Sequence, residues 1–471
     1  MYFEVIIPLL SAAFLHSACK IDTLPNRILS WFLDGKHSIP GCPYVFPNDQ
    51  AKFYRGEDSA AKWREQYGPV CRIWNGMKPE IVVGDPNAIK SIFIDSGAHL
   101  KALNMNSGWV TSELMGDCLG LANNDDWSRI RDVMGGPFHQ RTAPSYVSLM
   151  EAQIEKTFKR LDQASASTGK GDGMILDPAQ ELLYLPFFIL AEILYGYLDE
   201  EMEQQLRDIA SLRENLWNNA MGGGTARFSI GKYLPGTLGA KLRLRVSTFH
   251  RRWKEFNDAA YARAKAQEKG YAPPIVGMYE DLDRGKIGEN ELLHTLDEIL
   301  FVNLDVTVGN FSWNPIFLAA HPDVQDDIRE EVRRAREDEK DENTPNGWEP
   351  YISNNNTLLM ASILESARLK PMPAFAVPQA LPTAREVGGY VIPPKTEIVV
   401  DTRALNVENL AWGNDRDIYR PRRQCLGKHV VDIMLKTLLA HIVEKYRSSP
   451  AGRGRRMAMG MANGRGGRKI G

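Results

Sequence analysis

Apolar residues recur every three or four positions along much of this chain. Glu151 to Leu161, Glu181 to Tyr195, Glu200 to Asn218 and Lys241 to Gln267 all carry that spacing, with few strand signals between Met150 and Gln267. The pattern predicts helices there, broken at Gly222-Gly-Gly224 and between Tyr233 and Gly239. A longer run from about Glu289 to Ala320 predicts one long helix that ends at His321-Pro322. Pro322 to Glu337 is charged and amphipathic, and Thr357 can cap a helix over Leu358 to Leu369. Val430, Val431, Ile433, Met434, Leu435, Leu438, Leu439, Ile442 and Val443 predict a last helix. Strand-like runs are fewer and shorter. Val70 to Trp74 and Glu80 to Gly84 read as two strands joined around Asn75-Gly76. Asp85-Pro86 opens a helix through Ile94, with proline in its first turn. After Lys370, Ala374 to Ala380, Gly389 to Ile392 and Glu397 to Val400 read as strands.

Composition adds limits. The 471 residues are 43% hydrophobic and 25% charged, enough for a large core, and a net charge of −2 gives no global reason to bind nucleic acid. The cysteines Cys19, Cys42, Cys71, Cys118 and Cys425 are scattered and form no CxxC pair, which argues against a disulfide framework or zinc site and for a reducing compartment. Residues 1–20 are hydrophobic, but the apolar or small run from Val5 to Leu15 is short of the roughly 20 residues a spanning helix needs, and a basic n-region is lacking. It reads as a short membrane anchor or as a helix packed on the body. Ile39 to Pro47 is a proline-rich connector. Residues 451–471 hold seven Gly and six Arg or Lys with no acidic residue, a composition expected to stay disordered.

The candidate chemistry starts near the C-terminus. Cys425 follows Arg423 by two, precedes Gly427 by two, and stands just ahead of the last predicted helix. Backbone N–H groups and the helix dipole there favour negative charge, so a thiolate, the metal-binding form, is easier to keep. Gly427 lets a flat ligand approach the backbone. An isolated cysteine is more often a buried structural one. Trp127 and Arg131 share a helix face at i,i+4, ahead of which Asn123 to Asp126 form an N-cap cluster. They make either a donor pair for an acidic group or a surface arginine stacked on an indole. In Phe301-Val-Asn-Leu-Asp-Val-Thr-Val-Gly-Asn-Phe311, polar Asn303, Asp305, Thr307 and Asn310 interrupt an apolar helix beside Gly309. They either open the helix to hold water or an oxygen species, or face solvent or another helix. Glu365 and Arg368, at i,i+3 among apolar neighbours, form an exposed or a buried ion pair. Trp412 to Pro421 is loop-like.

In this order the stretches resemble the cytochrome P450 superfamily of haem-thiolate monooxygenases, over residues 35–446. The resemblance implies a mainly α fold with small β-sheets (α+β), haem lying between the long central helix and the cysteine loop with its following helix. It implies Cys425 as axial ligand of the haem iron, a thiolate that favours O–O cleavage. It assigns Arg423, Trp127 and Arg131 to the haem propionates and Gly427 to the haem-binding loop. Glu365 and Arg368 would brace the core beneath it, with an arginine of the Trp412 to Pro421 segment as third partner. Asp305 and Thr307 would deliver protons to bound dioxygen. The cofactor implied is haem b, with electrons from NADPH through a separate cytochrome P450 reductase, and the location the cytosolic face of the endoplasmic reticulum membrane. The reaction implied is insertion of one oxygen atom into a small apolar secondary metabolite of the filamentous-fungal, diketopiperazine-related type.

Three departures accompany the resemblance. Val306, not threonine, directly follows the acid Asp305. The Phe-Gly-x-Gly expected ahead of Arg423 is replaced by Tyr419-Arg-Pro-Arg422. After Tyr446 the pocket-closing strands of the family give way to the Gly- and Arg-rich end. Two alternative readings follow: an impaired or haem-free relative from an altered gene model, and a reductase-independent haem-thiolate isomerase or dehydratase.

Overall fold

A computed structural model describes residues 39–43, 52–75, 78–167, 173–266, 272–302, 304, 307–338, 348–413, 429–451 and 456–461. The N-terminal half of the body holds α1 (Lys52–Tyr67), α2 (Pro86–Ile92), α3 (Trp109–Met115), α4 (Asn124–Met134), α5 (Val147–Ser167), α6 (Pro178–Glu181), α7 (Leu185–Tyr195), α8 (Glu200–Met221) and α9 (Leu238–Ala266). There follow α10 (Pro274–Asp283), α11 (Glu289–Val302), α12 (Val308–Ala320), α13 (Pro322–Asp338), α14 (Trp348–Ser353), α15 (Leu358–Leu369) and α16 (His429–Lys445). Helices lie in each of the periodic segments, although the longest one, about Glu289 to Ala320, is divided in two. The 181–195 segment starts later than its spacing suggests, because Pro186 takes the first turn of α7 and Asp177 caps the separate short α6.

The main sheet is built from β1 (Val70–Asn75), β2 (Lys78–Val83), β3 (Leu100–Lys101), β5 (Gln379–Ala380) and β8 (Glu397–Val400), in the order β1-β2-β8-β5-β3. β1 and β2 pair antiparallel, Val70 opposite Val83, while β2 and β8 run parallel, Ile81 opposite Ile398. The strand expected over 374–380 shrinks to β5 and a single bridge from Phe375 to Asp401. Pro371, Pro373 and Pro378 supply no N–H to a ladder. The connector docks on β1: Arg72 N–H donates to Pro40 and Cys42 N–H to Arg72, at 2.8 and 3.0 Å. Gly41 is required there, because a Cβ would lie 2.1 Å from the Arg72 carbonyl oxygen. β6 (Arg385–Val387) and β7 (Tyr390–Ile392) form a small hairpin.

A third sheet joins β4 (Gly173–Leu176), β9 (Tyr446–Pro450) and β10 (Met457–Met461), with β10 in the centre. This corrects the expectation of disorder after residue 450: five residues of that stretch are a strand hydrogen-bonded on both edges. Met457 and Met459 point inward and are buried, an alternation of period two that the glycine and arginine content obscures. Residues 462–471 and the hydrophobic residues 1–20 lie outside the described residues. Among the described residues no helix is long and apolar enough to cross a membrane. One core runs through the helices, with α7 buried along almost its whole circumference, and two smaller clusters back the main sheet.

Candidate active site

The expected long central helix is two helices. α11 ends at Val302 and α12 starts at Val308, and between them Leu304 and Thr307 adopt the wide π-helical turn. Such turns interrupt the i→i−4 ladder and bend a helix locally. Asn303, Asp305 and Val306 lie outside the described residues. Thr307 is buried on the first turn side of α12. Just beyond the run, Ser312 Oγ donates to Val308 O at 2.7 Å and Asn314 Nδ2 to Asn310 O at 2.8 Å, while Asn314 Oδ1 is buried without a partner among the described residues. Gly309 is needed for close packing, because a Cβ there would meet Met372 Cγ at 2.8 Å. The chain just after α15 is thereby held against the widened turn.

α15 is capped by Thr357, whose Oγ1 accepts from Met360 N–H at 3.1 Å. In its last turn, Arg368 grips Glu365 with two parallel bonds, Nε to Oε2 at 2.8 Å and Nη2 to Oε1 at 2.7 Å. Both side chains are buried, at 8% and 5% exposure, so the buried alternative holds. Arg368 Nη1 donates to the carbonyl of Asn406 at 3.0 Å, and its guanidinium lies 5.0 Å from the Trp412 ring. Trp412 Nε1 donates in turn to Leu405 O at 3.0 Å. Arg368 thus also meets a carbonyl and an indole; the arginines of the Trp412 to Pro421 segment, one of which was expected as third partner, lie outside the described residues. The pair ties α15 to the π-helical turn Ala404–Glu408.

On α4, Trp127 and Arg131 stack, the guanidinium 5.2 Å from the ring centroid. Both are exposed, Trp127 to 41%. Neither has a carboxylate partner among the described residues. The neighbouring Arg129 contrasts with this, donating to Glu291 at 2.7 and 2.6 Å and to Asp126 at 2.7 Å, which pins α4 to α11. One arginine of the helix is committed to the fold; the other offers its donors outward beside an indole N–H. Asn123 does not cap α4 with its side chain, as the cluster suggested. Its Oδ1 accepts instead from Lys101 N–H on β3, at 2.7 Å.

Arg423, Cys425 and Gly427 lie outside the described residues. The helix that follows them in sequence, α16, is tied to the end of α14. Lys436 is buried and its ammonium donates to Ile352 O, Asn354 O and Asn355 Oδ1, each at 2.9 Å, closing the end of α14. Burial lowers that amine to about 8. The described cysteines are poor metal ligands: burial pushes Cys42 up to about 11 and Cys71 to about 12, and Cys118 is also raised, all three therefore neutral thiols. Among the described residues no group of histidine, cysteine and acidic side chains could hold a metal ion.

Two buried polar arrangements had no signal in the sequence. Arg213 on α8 pairs with Asp297 on α11, 84 residues away. Arg227 donates to Asn75 Oδ1 at 2.6 Å and to the carbonyl of Asn106, whose Nδ2 reaches Glu80 at 2.8 Å. Both depend on tertiary contacts between distant helices, strands and loops.

The described part of the site thus holds an exposed stacked pair on α4, a widened turn with a buried hydroxyl, and a buried ion pair on α15. The family described as Cytochrome P450 matches residues 47–416. The chain is 40% identical to cytochrome P450 monooxygenase aclC of Aspergillus oryzae, over 91% of this chain and 89% of that one. It is 36% identical to cytochrome P450 monooxygenase asaD of Aspergillus flavus, over 94% and 92%. It is likewise 36% identical to cytochrome P450 monooxygenase gliC of Aspergillus fumigatus, over 88% and 84%. With a family match across most of its length and fungal relatives aligned nearly end to end, the chain belongs to the cytochrome P450 monooxygenases.

Proposed function

We propose that this monooxygenase binds haem b through Cys425 and inserts one atom of dioxygen into a small apolar secondary metabolite. The second oxygen atom leaves as water, and two electrons come from NADPH through a separate reductase at the cytosolic face of the endoplasmic reticulum. The diketopiperazine-related class is the substrate type we favour, on the wording of the central helix and of Glu365-Ser-Ala-Arg-Leu-Lys-Pro371. Bound haem supplies the activation of dioxygen.

The chain's own residues position and protonate. Trp127 and Arg131 would hold a propionate by charge-assisted hydrogen bonds, with Arg423 as a further cation. Gly427 would let the macrocycle approach the backbone of the cysteine loop. Glu365 and Arg368 keep the segment 404–412 in place through Asn406 and Trp412. Asp305 and Thr307 would move a proton at the widened turn. An ordinary helix would put Val306 where the family has its hydroxyl and Thr307 about 100° away. The π-helical turn changes that direction, which supports the role for Thr307.

The observation that carries the reading is the outward-facing Trp127–Arg131 pair, a donor set without a carboxylate partner among the described residues. A carbon monoxide difference spectrum of the reduced, purified full chain tests it. A Soret band at the position of thiolate-ligated haem is expected, lost in Cys425→Ser. Wild-type protein without that band refutes the reading.

A further inference from the structure

The stretch leading into α9 shows solvent a group of side chains that folds usually hide. Ile230, Tyr233 and Leu244 are each exposed to 70% or more, and Leu234 and Leu238 to 49% and 46%. Single apolar residues scattered on a surface need no explanation, but a contiguous group marks an interaction site. The fold holds this group together. Thr237 Oγ1 lies 2.8 and 2.7 Å from the carbonyl oxygens of Gly231 and Leu234, which folds the turn Ser229–Tyr233 back on the start of α9. Gly239 allows the contact, since a Cβ there would meet the Gly231 carbonyl at 2.5 Å. On α9, Leu242, Val246, Phe249 and Trp253 are buried. At about 100° per residue, Leu244 points almost directly away from them, at the crest of the outer face.

Charge gives the group its second property. No acidic residue occurs between Glu214 and Glu255, while that interval holds eight Lys or Arg. Four of these serve the fold. Arg227 is buried, Lys232 pairs with Glu113 at the rim at 2.9 Å, Arg251 pairs with Glu255 at 2.9 Å, and Lys254 pairs with Glu289. The other four, Lys241, Arg243, Arg245 and Arg252, are exposed and form no ion pair with a described residue. Arg245 donates to the neutral Asn215 Oδ1 at 2.6 Å, and Arg243 lies 5.8 Å from the Tyr233 ring centroid. Lys241, Arg245 and Arg252 fall within about 40° of one another around the helix, beside Leu244. The partner must therefore present negative charge over an apolar interior. A nucleic acid supplies phosphates but leaves the leucines in water. A phospholipid surface with acidic headgroups satisfies both properties at once.

We propose that the turn Ser229–Tyr233 and the outer face of α9 dock on an anionic phospholipid membrane. Ile230, Tyr233, Leu234 and Leu244 enter between the headgroups, and Lys241, Arg243, Arg245 and Arg252 meet the acidic groups around them. The inference rests on the membrane location proposed above and is independent of the haem chemistry.

Co-sedimentation of the full chain with vesicles tests it, comparing phosphatidylcholine alone with phosphatidylcholine holding roughly 30% phosphatidylserine. Each basic side chain near an acidic surface changes affinity about fivefold, so wild-type protein is expected to favour the acidic vesicles on the order of a hundredfold. The triple variant Arg243→Gln, Arg245→Gln, Arg252→Gln touches only exposed side chains and should lose most of that preference. The pair Ile230→Ser with Leu244→Ser should weaken binding to both vesicles by roughly tenfold or more and keep the preference. Residues 1–20 carry one Glu and one Lys and give no preference of their own. The arginines after residue 451 are common to every variant, so a preference that survives the triple change belongs to them and overturns the proposal. Equal binding of wild-type protein to the two vesicles also overturns it. So does release by inorganic phosphate beyond that by chloride at equal ionic strength, release by an RNA oligomer at equal phosphate, or a dimer in sedimentation velocity that Leu244→Ser abolishes. The carbon monoxide band is read on the same samples. A normal band without the preference sinks the docking face alone, and the preference without the band sinks the haem-thiolate reading alone.

Discussion

Replacing Arg368 by leucine tests whether the Glu365 pair holds the site together. The side chain makes two bonds to Glu365, one to the Asn406 carbonyl, and a stack on Trp412. Removing one member of a buried pair costs about 3–5 kcal/mol. Unfolding entropy of about 2.1 cal/mol/K per residue, over roughly 400 ordered residues, gives about 0.8 kcal/mol/K, so the melting midpoint should fall by about 4–6 °C. Scanning calorimetry at one fixed scan rate measures it. A second variant separates stability from positioning. Glu365→Leu with Arg368→Met leaves no uncompensated buried charge and should melt within about 2 °C of wild type, since apolar replacement of a whole pair is near neutral. It still deprives the Asn406 carbonyl of its donor and Trp412 of its cation. On the proposed reading the haem-to-protein ratio should drop in that variant although it remains folded. An unchanged midpoint in Arg368→Leu refutes the energetic argument, and full haem content in the double variant refutes the positioning argument.

Other expectations follow from single contacts. Thr307→Ala should uncouple NADPH oxidation from product by roughly tenfold or more if Thr307 moves a proton in the reaction; unchanged coupling would exclude that role. Gly120 N–H donates to Glu298 Oε2 at 2.9 Å, and a Cβ at Gly120 would fall 1.8 Å from Glu298 Oε1. Gly120→Ala should therefore displace the carboxylate and lower stability by about 1–3 kcal/mol in urea titration, and an unshifted midpoint would contradict it. His441 packs on Phe158 and Tyr446, and burial, aided by Lys445 and Arg336 against Glu155, lowers it to about 4. The unfolded chain, near 6.5, then takes up the proton first as pH falls. Its contribution is complete above about pH 6.5 and shrinks by roughly 3 kcal/mol on the way to pH 4. In His441→Leu this part of the pH slope should vanish, as read by urea midpoints at pH 7 and pH 4.5; an identical slope would disprove it.

How far the sequence could be read depended on whether a feature was local. The helices were legible because 3.6-residue spacing and a cap such as Thr357 act within one segment. The polar run from Phe301 to Phe311 signalled an interruption, but its form, a π turn between separate helices, depends on packing such as Met372 against Gly309. Asn123 carried a cap signal and lost it to a neighbouring strand, because Lys101 N–H competed for the same oxygen. The C-terminal strand was missed for a different reason. Composition averaged over residues 451–471 hid a five-residue alternation in which only Met457 and Met459 need to be buried. A short strand taken up between two others draws its stability from their ladders and little from its own composition.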